Sequence, residues 1–236
     1  MIDIHAHILP ELDDGPTCLD HAVKYVKQAY NEGITTILAT PHAMDGIYQC
    51  TPQQIISKCT LLTQELEKRN IAVNIRPGSE IHLTHDTVSL YDKGRLMTLN
   101  NLDKHILLEL PPVFIVDGVI HVIKQLAERR IVSIIAHPER NVTLMKHLNI
   151  IPELLDVGAL MQITAMSLMG GFGKRIRSIS EKMIKNDVVR FVSSDIHPGR
   201  KYMMREAYEK ISSLVDTNAA EKIFRKNPGK ILHYTS

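Results

Sequence analysis

The chain contains little cysteine and almost no net charge. Its three cysteines, Cys18, Cys50 and Cys59, are an odd number at scattered positions. They therefore predict no disulfide framework, and they suit a reducing compartment. Because the formal net charge is only +2, no overall field indicates a nucleic acid or a membrane surface as a partner.

Long apolar runs are also missing. The longest stretch without a charged residue, 157–173, contains four glycines together with Gln162, Thr164 and Ser167, so it does not predict a membrane span. No basic segment followed by an apolar segment precedes His5, and we expect no cleaved signal peptide. We therefore expect a cytoplasmic protein without membrane insertion.

The chain does have the length and the apolar content of one large domain. With 236 residues, 44% of them hydrophobic, it can bury a full core, and we expect a single domain over 1–236. Seven apolar, strand-like segments alternate with helix-like segments, which is typical of a parallel barrel. The strand-like segments read IDIHAH, TTILATPH, AVNIRPGSEI, HILLELP, VSIIAHPER, ALMQITAMSL and VVRFVSSDIH. The predicted fold class is α/β, a seven-stranded (β/α)7 TIM-like barrel.

Local patterns predict where several helices begin. Thr17 is expected to cap the first helix, and Thr51 forms a capping box with Gln54 at the start of the second. The segment GGFG at 170–173 hints at a phosphate loop but lacks the spacing of a Walker motif. We expect it to turn the chain into a helix over about 174–185.

Two histidines lie within the first apolar strand. Side chains alternate along a strand, so His5 and His7 are expected to point one way while Ile4, Ala6 and Ile8 point the other. Two neighbouring imidazoles repel each other when protonated and satisfy each other poorly when neutral. A cation between them resolves this conflict; the alternative is a pair of unrelated surface histidines.

Histidines and carboxylates lie at or near the carboxyl end of six of the seven predicted strands. They are His5, His7, His42, Glu80, Glu109, His137, Asp195 and His197. In a barrel these strand ends converge on one rim, where active sites are built. Mixed imidazole and carboxylate ligands suit Mn, Fe or Zn, whereas calcium prefers oxygen ligands alone. The pattern therefore predicts a polynuclear metal centre.

The ordered motifs resemble a known family. DIHAH, TPH, GSEI, LLEL, IAHPER and SSDIH resemble, over nearly the whole chain, the polymerase-and-histidinol-phosphatase (PHP) superfamily. DDGP, IAHPER and SLMGGFGK are similar to its bacterial capsule and exopolysaccharide branch. The resemblance implies a distorted seven-stranded barrel, three divalent metal ions, most often manganese with iron or zinc as alternatives, and protein-tyrosine phosphatase activity.

The same resemblance implies three sets of metal ligands, carried over position by position. The first set is His5, His7, Glu80 and Asp195. The second set, bridged to the first by Glu80, adds Glu109 and His137. The third set is Asp14, His42 and His197.

Two arginines follow the predicted rim residues at equal spacing. Arg140 lies three residues beyond His137, and Arg200 lies three residues beyond His197. Guanidinium groups at this rim would bind phosphate through paired hydrogen bonds. The alternative is that both are solvated loop arginines, but both match family arginines assigned to phosphate.

The predicted function is hydrolysis of phosphotyrosine by metal-activated water. The resemblance implies a bacterial tyrosine autokinase of capsule or exopolysaccharide synthesis as the partner. One alternative is a small-molecule phosphatase such as a histidinol-phosphate phosphatase. Another is a metal-dependent amidohydrolase, although that class usually carries a bridging lysine where Glu109 lies. A third is a non-catalytic scaffold. A cysteine-based phosphatase is excluded, because no cysteine is followed six residues later by arginine. His82, two residues after Glu80, is a candidate substrate contact.

Overall fold

The computed structural model of the chain describes residues 1–43 and 46–233. Every pair of neighbouring strands in its sheets is parallel. Within the described residues the strands are β1 (Ile2–Ala6), β2 (Thr36–Ala39), β3 (His42–Ala43), β4 (Asn74–Pro77), β5 (Glu80–His82), β6 (His105–Glu109), β7 (Val132–Ala136), β8 (Leu160–Thr164) and β9 (Val189–Ser193).

Helices separate most of these strands along the chain. They are α1 (Leu19–Asn31), α2 (Pro52–Lys68), α3 (Thr87–Asp92), α4 (Val116–Glu128), α5 (Val142–Lys146), α6 (Ile150–Asp156), α7 (Ala165–Leu168), α8 (Lys174–Lys185), α9 (Met204–Leu214), α10 (Thr217–Glu221) and α11 (Asn227–Leu232). None of the described helices combines the length and the apolar character that crossing a membrane requires.

The strands form two sheets that share one barrel. One sheet has the order β1-β2-β4 and the other the order β3-β5-β6-β7-β8-β9. β2 and β3 are two pieces of one barrel strand, interrupted at Thr40 and Pro41, and β4 and β5 are two pieces of the next, interrupted at Gly78 and Ser79. A Cβ atom on Gly78 would lie 3.2 Å from Cγ2 of Thr40, so the two interruptions pack closely against each other.

Backbone hydrogen bonds close the barrel between its last and first strands. The amide of Asp195 donates to the carbonyl of His5 at 2.9 Å, and the amide of His7 donates to the carbonyl of Ile196 at 3.2 Å. The predicted α/β barrel with seven strand positions is therefore confirmed, and the split of two strands accounts for its distortion.

A bulge in β1 changes the predicted alternation of its side chains. Asp3 pairs with Ile37 and Ala6 with Ala39, so β1 has one more residue than β2 over this interval. As a result, Ile4 packs in one hydrophobic cluster whereas Ala6 packs in another. The prediction that Ile4, Ala6 and Ile8 share one side is wrong for Ile4, because an inserted residue breaks the period of two.

Two hydrophobic clusters form the core. The smaller cluster fills the barrel between strands of both sheets, and Leu99 and Ile231 close it at one end. The larger cluster joins the outer faces of the strands to the surrounding helices, including Val26 of α1, Leu62 of α2 and Met183 of α8. The polar rim residues lie at the opposite, carboxyl end of the strands.

Of the three helix starts predicted from the sequence, two are confirmed by the structure. Thr51 and Gln54 form the predicted capping box at the start of α2, and α8 follows the loop at 170–173 as expected. The prediction for Thr17 is wrong, because α1 begins at Leu19 after Cys18. The Thr17 hydroxyl lies 3.3 Å from Nδ1 of His21 instead of capping a backbone amide.

Candidate metal centre

The rim residues predicted from the sequence lie together at the carboxyl ends of the strands. His5 is in β1 and Glu109 ends β6, while His42 begins β3 and Glu80 begins β5. The remaining members lie in the loops that follow their strands: His7 after β1, His137 after β7, and Asp195 and His197 after β9.

Two of these residues have left-handed backbone conformations. His137 has φ of 34° and Asp195 has φ of 49°. Residues other than glycine rarely adopt such angles, and those that do are often held there by a functional constraint. In this molecule the unusual backbone directs both side chains toward Glu80, since His137 contacts it and Asp195 lies beside the histidines that Glu80 binds.

A buried group of two histidines and two carboxylates forms the middle of the site. Nε2 of His5 and Nε2 of His7 lie 3.1 and 3.2 Å from Oε2 of Glu80. Oδ1 of Asp195 lies 3.5 Å from Nε2 of His5 and 3.6 Å from Nε2 of His7. The four side chains are at most 1% exposed, so their charges must be balanced by one another or by a cation.

A second group lies toward solvent from the first. Nε2 of His197 is 3.2 Å from Oδ1 of Asp14, and Nε2 of His42 is 3.9 Å from the same oxygen. One ligand atom from each of His7, Asp14, His42 and His197 lies within 4.8 Å of the others. The hydrogen bond from His197 holds the pKa of the Asp14 carboxyl down at about 2.

The other side of Glu80 faces a third set of side chains. Oε1 of Glu80 is 2.8 Å from Nε2 of His137, which lies 3.7 Å from Oε1 of Glu109. Ligand atoms of His42, Glu80 and Glu109 also lie within 4.8 Å of one another, a grouping not expected from the sequence. Glu80 is thus central to the site, in contact with residues of all three predicted ligand sets.

The pKa values show how strongly these groups interact. Burial alone would raise the pKa of Glu80, but the rings of His5 and His137 hold it well below its usual range. Burial would likewise raise the pKa of Asp195, which His5 and Arg140 lower instead. Burial would lower the pKa of His7, yet its carboxylate neighbours raise it well above the ordinary value. The cluster therefore combines charged carboxylates with histidines that attract protons or cations.

The donor set fits divalent transition metals. It consists of imidazole nitrogens and carboxylate oxygens with no thiolate, as Mn, Fe and Zn accept. Among the described residues, the buried Nδ1 of His42 has no hydrogen-bond partner, although it lies 3.4 Å from Oε2 of Glu80. A cation would satisfy this nitrogen and the facing carboxylate together.

Two supporting residues were not identified from the sequence. Oδ2 of Asp13 lies 2.6 Å from Nδ1 of His7, and Oε1 of Gln162 lies 2.9 Å from Nδ1 of His5. Each fixes one ring nitrogen and leaves Nε2 directed into the cluster. The detectable signs were the doubled acid in DDGP and a lone glutamine within an apolar strand.

The two predicted phosphate-binding arginines lie beside the cluster. Nη2 of Arg140 is 2.7 Å and Nη1 of Arg200 is 2.6 Å from Oδ2 of Asp195. Both line a cavity of about 280 Å³. Its other lining residues are Glu109, Leu110, Pro112, Ala136, His137, Asn141 and Val142. The cavity therefore places cationic, metal-ligating and apolar groups around one space.

His82 lies at the edge of the site. Its Nδ1 is 3.5 Å from Oε2 of Glu109, and its side chain is 29% exposed. It is therefore positioned next to the rim, on the side of Glu109 rather than of the arginines.

Comparison with known proteins agrees with this geometry. The family model for capsular polysaccharide synthesis, CpsB/CapC, matches residues 1–233. The tyrosine-protein phosphatase YwqE of Bacillus subtilis is 34% identical over 197 residues, which cover 84% of this chain and 77% of that protein. The tyrosine-protein phosphatase CpsB of Streptococcus pneumoniae is 29% identical over 241 residues, which cover 98% of each chain.

Solved structures give the same relationship. The fold is similar to a structure from work on YwqE and CpsB, which are described there as metal-dependent tyrosine phosphatases. The TM-score is 0.95 and the identity 29%, and the match covers 100% of this chain and 96% of that one. A histidinol phosphate phosphatase from Lactococcus lactis has a TM-score of 0.62 and 10% identity, covering 94% of each chain. At that identity the second match shows a shared fold alone.

Proposed function

The chain belongs to the CpsB/CapC family of capsular polysaccharide synthesis, and from this premise we propose that it is a metal-dependent phosphatase acting on phosphotyrosine in a protein. One observation carries the proposal. A cluster of buried histidines and carboxylates centred on Glu80 lies next to Arg140 and Arg200, and both arginines line a cavity that also has apolar walls. Metal ligands, phosphate-binding groups and space for an aromatic ring thus occur together.

Three metal ions, with manganese as the proposed metal, are proposed to bind in the sets implied by the resemblance. The proposed sets are His5, His7, Glu80 and Asp195, then Glu80, Glu109 and His137, and finally Asp14, His42 and His197. When bound, divalent ions supply Lewis acidity and lower the pKa of a coordinated water. The contacts of Glu80 with His5, His7 and His137 support its role as the shared ligand.

Arg140 and Arg200 are proposed to bind the phosphate. Their guanidinium groups converge on the same oxygen of Asp195, so two cations are already held side by side. A dianionic phosphate entering the cavity would accept hydrogen bonds from both, which neutralises charge on its non-bridging oxygens during displacement. Asp195 limits the freedom of both side chains before the substrate arrives.

The apolar lining suits the leaving group. The cavity lined by Arg140 is also lined by the apolar residues Leu110, Pro112 and Val142. Small-molecule sites usually occupy roughly 300–1,000 Å³, so a space of about 280 Å³ can take one phosphorylated side chain but encloses little more. We infer that the phenyl ring lies against these apolar side chains while the rest of the polypeptide substrate remains outside.

The substrate proposed is a bacterial tyrosine autokinase of polysaccharide synthesis. Family membership supports the link with capsular polysaccharide. The proposed site is cationic and only partly enclosed. A phosphorylated kinase tail is anionic, so its charge is complementary to that of the site.

The free thiols of Cys18, Cys50 and Cys59 fit a location in the reducing cytoplasm. We propose that residues 1–236 act as a single domain, which the continuous outer core from Ala6 to Phe224 supports.

The test compares two substrates on the same metal-loaded enzyme. We expect kcat/KM for a tyrosine-phosphorylated kinase-tail peptide to exceed that for histidinol phosphate by about tenfold or more. Glu80→Gln, purified identically, controls for contaminating phosphatases and should be inactive on both. If histidinol phosphate is preferred about tenfold, the protein substrate is wrong and the metal-dependent chemistry stands without it.

A further inference from the structure

The glycine-rich loop at 170–173 has a geometry that only glycine supports readily. Gly170 and Gly173 have φ of +89° and +98°, in the left-handed region that favours glycine. A Cβ atom on Gly171 would lie 2.5 Å from Cγ of Met166, so this position is also restricted. Backbone hydrogen bonds from Gly171 to Met166 at 2.8 Å and from Gly173 to Gly170 at 3.0 Å fix the turn. The loop therefore presents one large side chain, Phe172, from a closely constrained backbone.

That side chain contacts both arginines of the site. The ring centroid of Phe172 is 5.1 Å from Cζ of Arg140 and 5.5 Å from Cζ of Arg200. These distances lie within the range of cation–π attraction, in which the negative face of a ring stabilises a guanidinium group. Each arginine is thus held by the ring of Phe172 and by Oδ2 of Asp195, and Nη1 of Arg200 also donates to the carbonyl of Asp195.

We propose that Phe172 is a positioning residue that keeps Arg140 and Arg200 together for phosphate binding, an inference that rests on the proposed function. Two neighbouring guanidinium groups repel each other, and a further carboxylate would hold them only by occupying N–H groups that the phosphate needs. An aromatic ring attracts both cations without accepting strong hydrogen bonds. The N–H groups that Asp195 does not occupy therefore remain available to the substrate.

The test replaces the ring by side chains of similar size without a π-system. We expect Phe172→Leu and Phe172→Met to raise KM for a phosphotyrosine peptide, and the inhibition constant for inorganic phosphate, by about tenfold. Phe172→Tyr and Phe172→Trp should keep both constants close to those of the original protein. Metal content should be unchanged in all four variants, since Phe172 cannot be a ligand.

Tyr208→Leu provides the matched control. Tyr208 forms a similar contact with Arg225, 5.8 Å from its ring centroid, on helices away from the rim. Loss of that ring contact should leave KM and phosphate inhibition unchanged. In a variant lacking both Arg140 and Arg200, Phe172→Leu should have no further effect, because its partners are missing.

Several results would overturn the proposal. One is an unchanged KM and phosphate inhibition in folded, metal-loaded Phe172→Leu or Phe172→Met. Another is loss of fold or metal in both, which would assign Phe172 to loop packing. Failure of the proposed function would be seen in a different measurement, because the unsubstituted enzyme would then not hydrolyse the phosphotyrosine peptide. Inhibition by inorganic phosphate and hydrolysis of p-nitrophenyl phosphate would still measure phosphate binding by the arginines.

Discussion

Nδ1 of His7 lies 2.6 Å from Oδ2 of Asp13, so this carboxylate fixes both the orientation and the protonated nitrogen of the ring. The same oxygen accepts a hydrogen bond from the amide of His42 at 3.0 Å. Asp13 thus links two proposed ligands without itself belonging to a proposed metal set.

We expect Asp13→Asn to weaken metal binding roughly 10- to 100-fold, as loss of such a supporting carboxylate does at other histidine sites. The amide keeps the shape but loses the charge that favours the correct tautomer. The measurement is metal affinity by titration against a competing chelator. Asp92→Asn, which removes a carboxylate from an exposed pair with Arg129, is the control and should bind metal normally. Unchanged affinity in Asp13→Asn would show that Asp13 only packs the loop.

The sequence was informative about which residues meet at the rim. Strand ends in a parallel barrel converge whatever the details of each strand, so the positions of His42, Glu80 and Glu109 followed from the pattern alone. The side-chain directions in β1 did not, because the bulge between Asp3 and Ala6 depends on pairing with β2. The alternation of apolar and polar residues in the sequence does not reveal where a residue is inserted into a strand.

Supporting contacts were harder to predict for a related reason. Gln162 and Phe172 contact residues that lie far away along the chain, and Asp13 contacts His7 only because of how the loop after β1 folds back. Gln162 reaches His5 across 157 residues, and a lone polar residue in a strand does not identify its partner. Thr17 failed as a helix cap because α1 begins one residue later than its spacing requires, with Cys18 at the N-cap position. Motifs therefore located the proposed ligands, but the structure was needed to find what orients them.

Metal removal is expected to abolish phosphatase activity reversibly. Chelation should eliminate hydrolysis, and added manganese should restore it. Glu80→Gln should be inactive even with excess metal, because Glu80 contacts residues of all three proposed ligand sets. Glu67→Gln, on an exposed position of α2, is the control. Full activity after verified removal of metal would be incompatible with the mechanism.

Replacing either arginine should lower kcat/KM and leave the metal content unchanged. We expect Arg140→Ala and Arg200→Ala each to lower kcat/KM roughly 100-fold, as loss of a preorganised charge partner typically does. The Lys variants should recover only part of this, because an ammonium group lacks the planar pair of donors. Metal analysis and kinetics on the same preparations give the answer. If an alanine variant loses metal and fold together, that arginine instead stabilises Asp195.

The enzyme should resist thiol alkylation. Burial raises the pKa of the Cys59 thiol to about 12, so it stays protonated and unreactive near neutral pH. Sγ of Cys50 is also buried and donates to the carbonyl of His42 at 2.8 Å. Incubation with iodoacetamide, followed by activity and mass measurements, should show full activity. Inactivation that tracks modification of one cysteine would indicate a thiolate nucleophile.

A pH effect on stability is expected from His105, at the opposite end of β6 from the metal centre. Burial, and then the charge of Lys104, lower the pKa of His105 below its ordinary value of 6.5. As pH falls through 6.5, the unfolded chain gains a proton at this position that the folded chain does not yet bind, so the free energy of unfolding decreases. This loss is complete once the pH is below the lowered pKa in the folded state.

His105→Gln removes the titrating group and should therefore reduce the loss of stability between about pH 7.5 and pH 5.5. The measurement is urea unfolding of both proteins at several pH values in the same chelating buffer, so that the histidines of the metal centre contribute equally to each. Phosphatase activity of metal-loaded His105→Gln near neutral pH should be unchanged and serves as the check on its fold. Parallel stability curves for the two proteins would show that His105 binds protons equally well in the folded and unfolded chain, contrary to the effect expected from its partial burial.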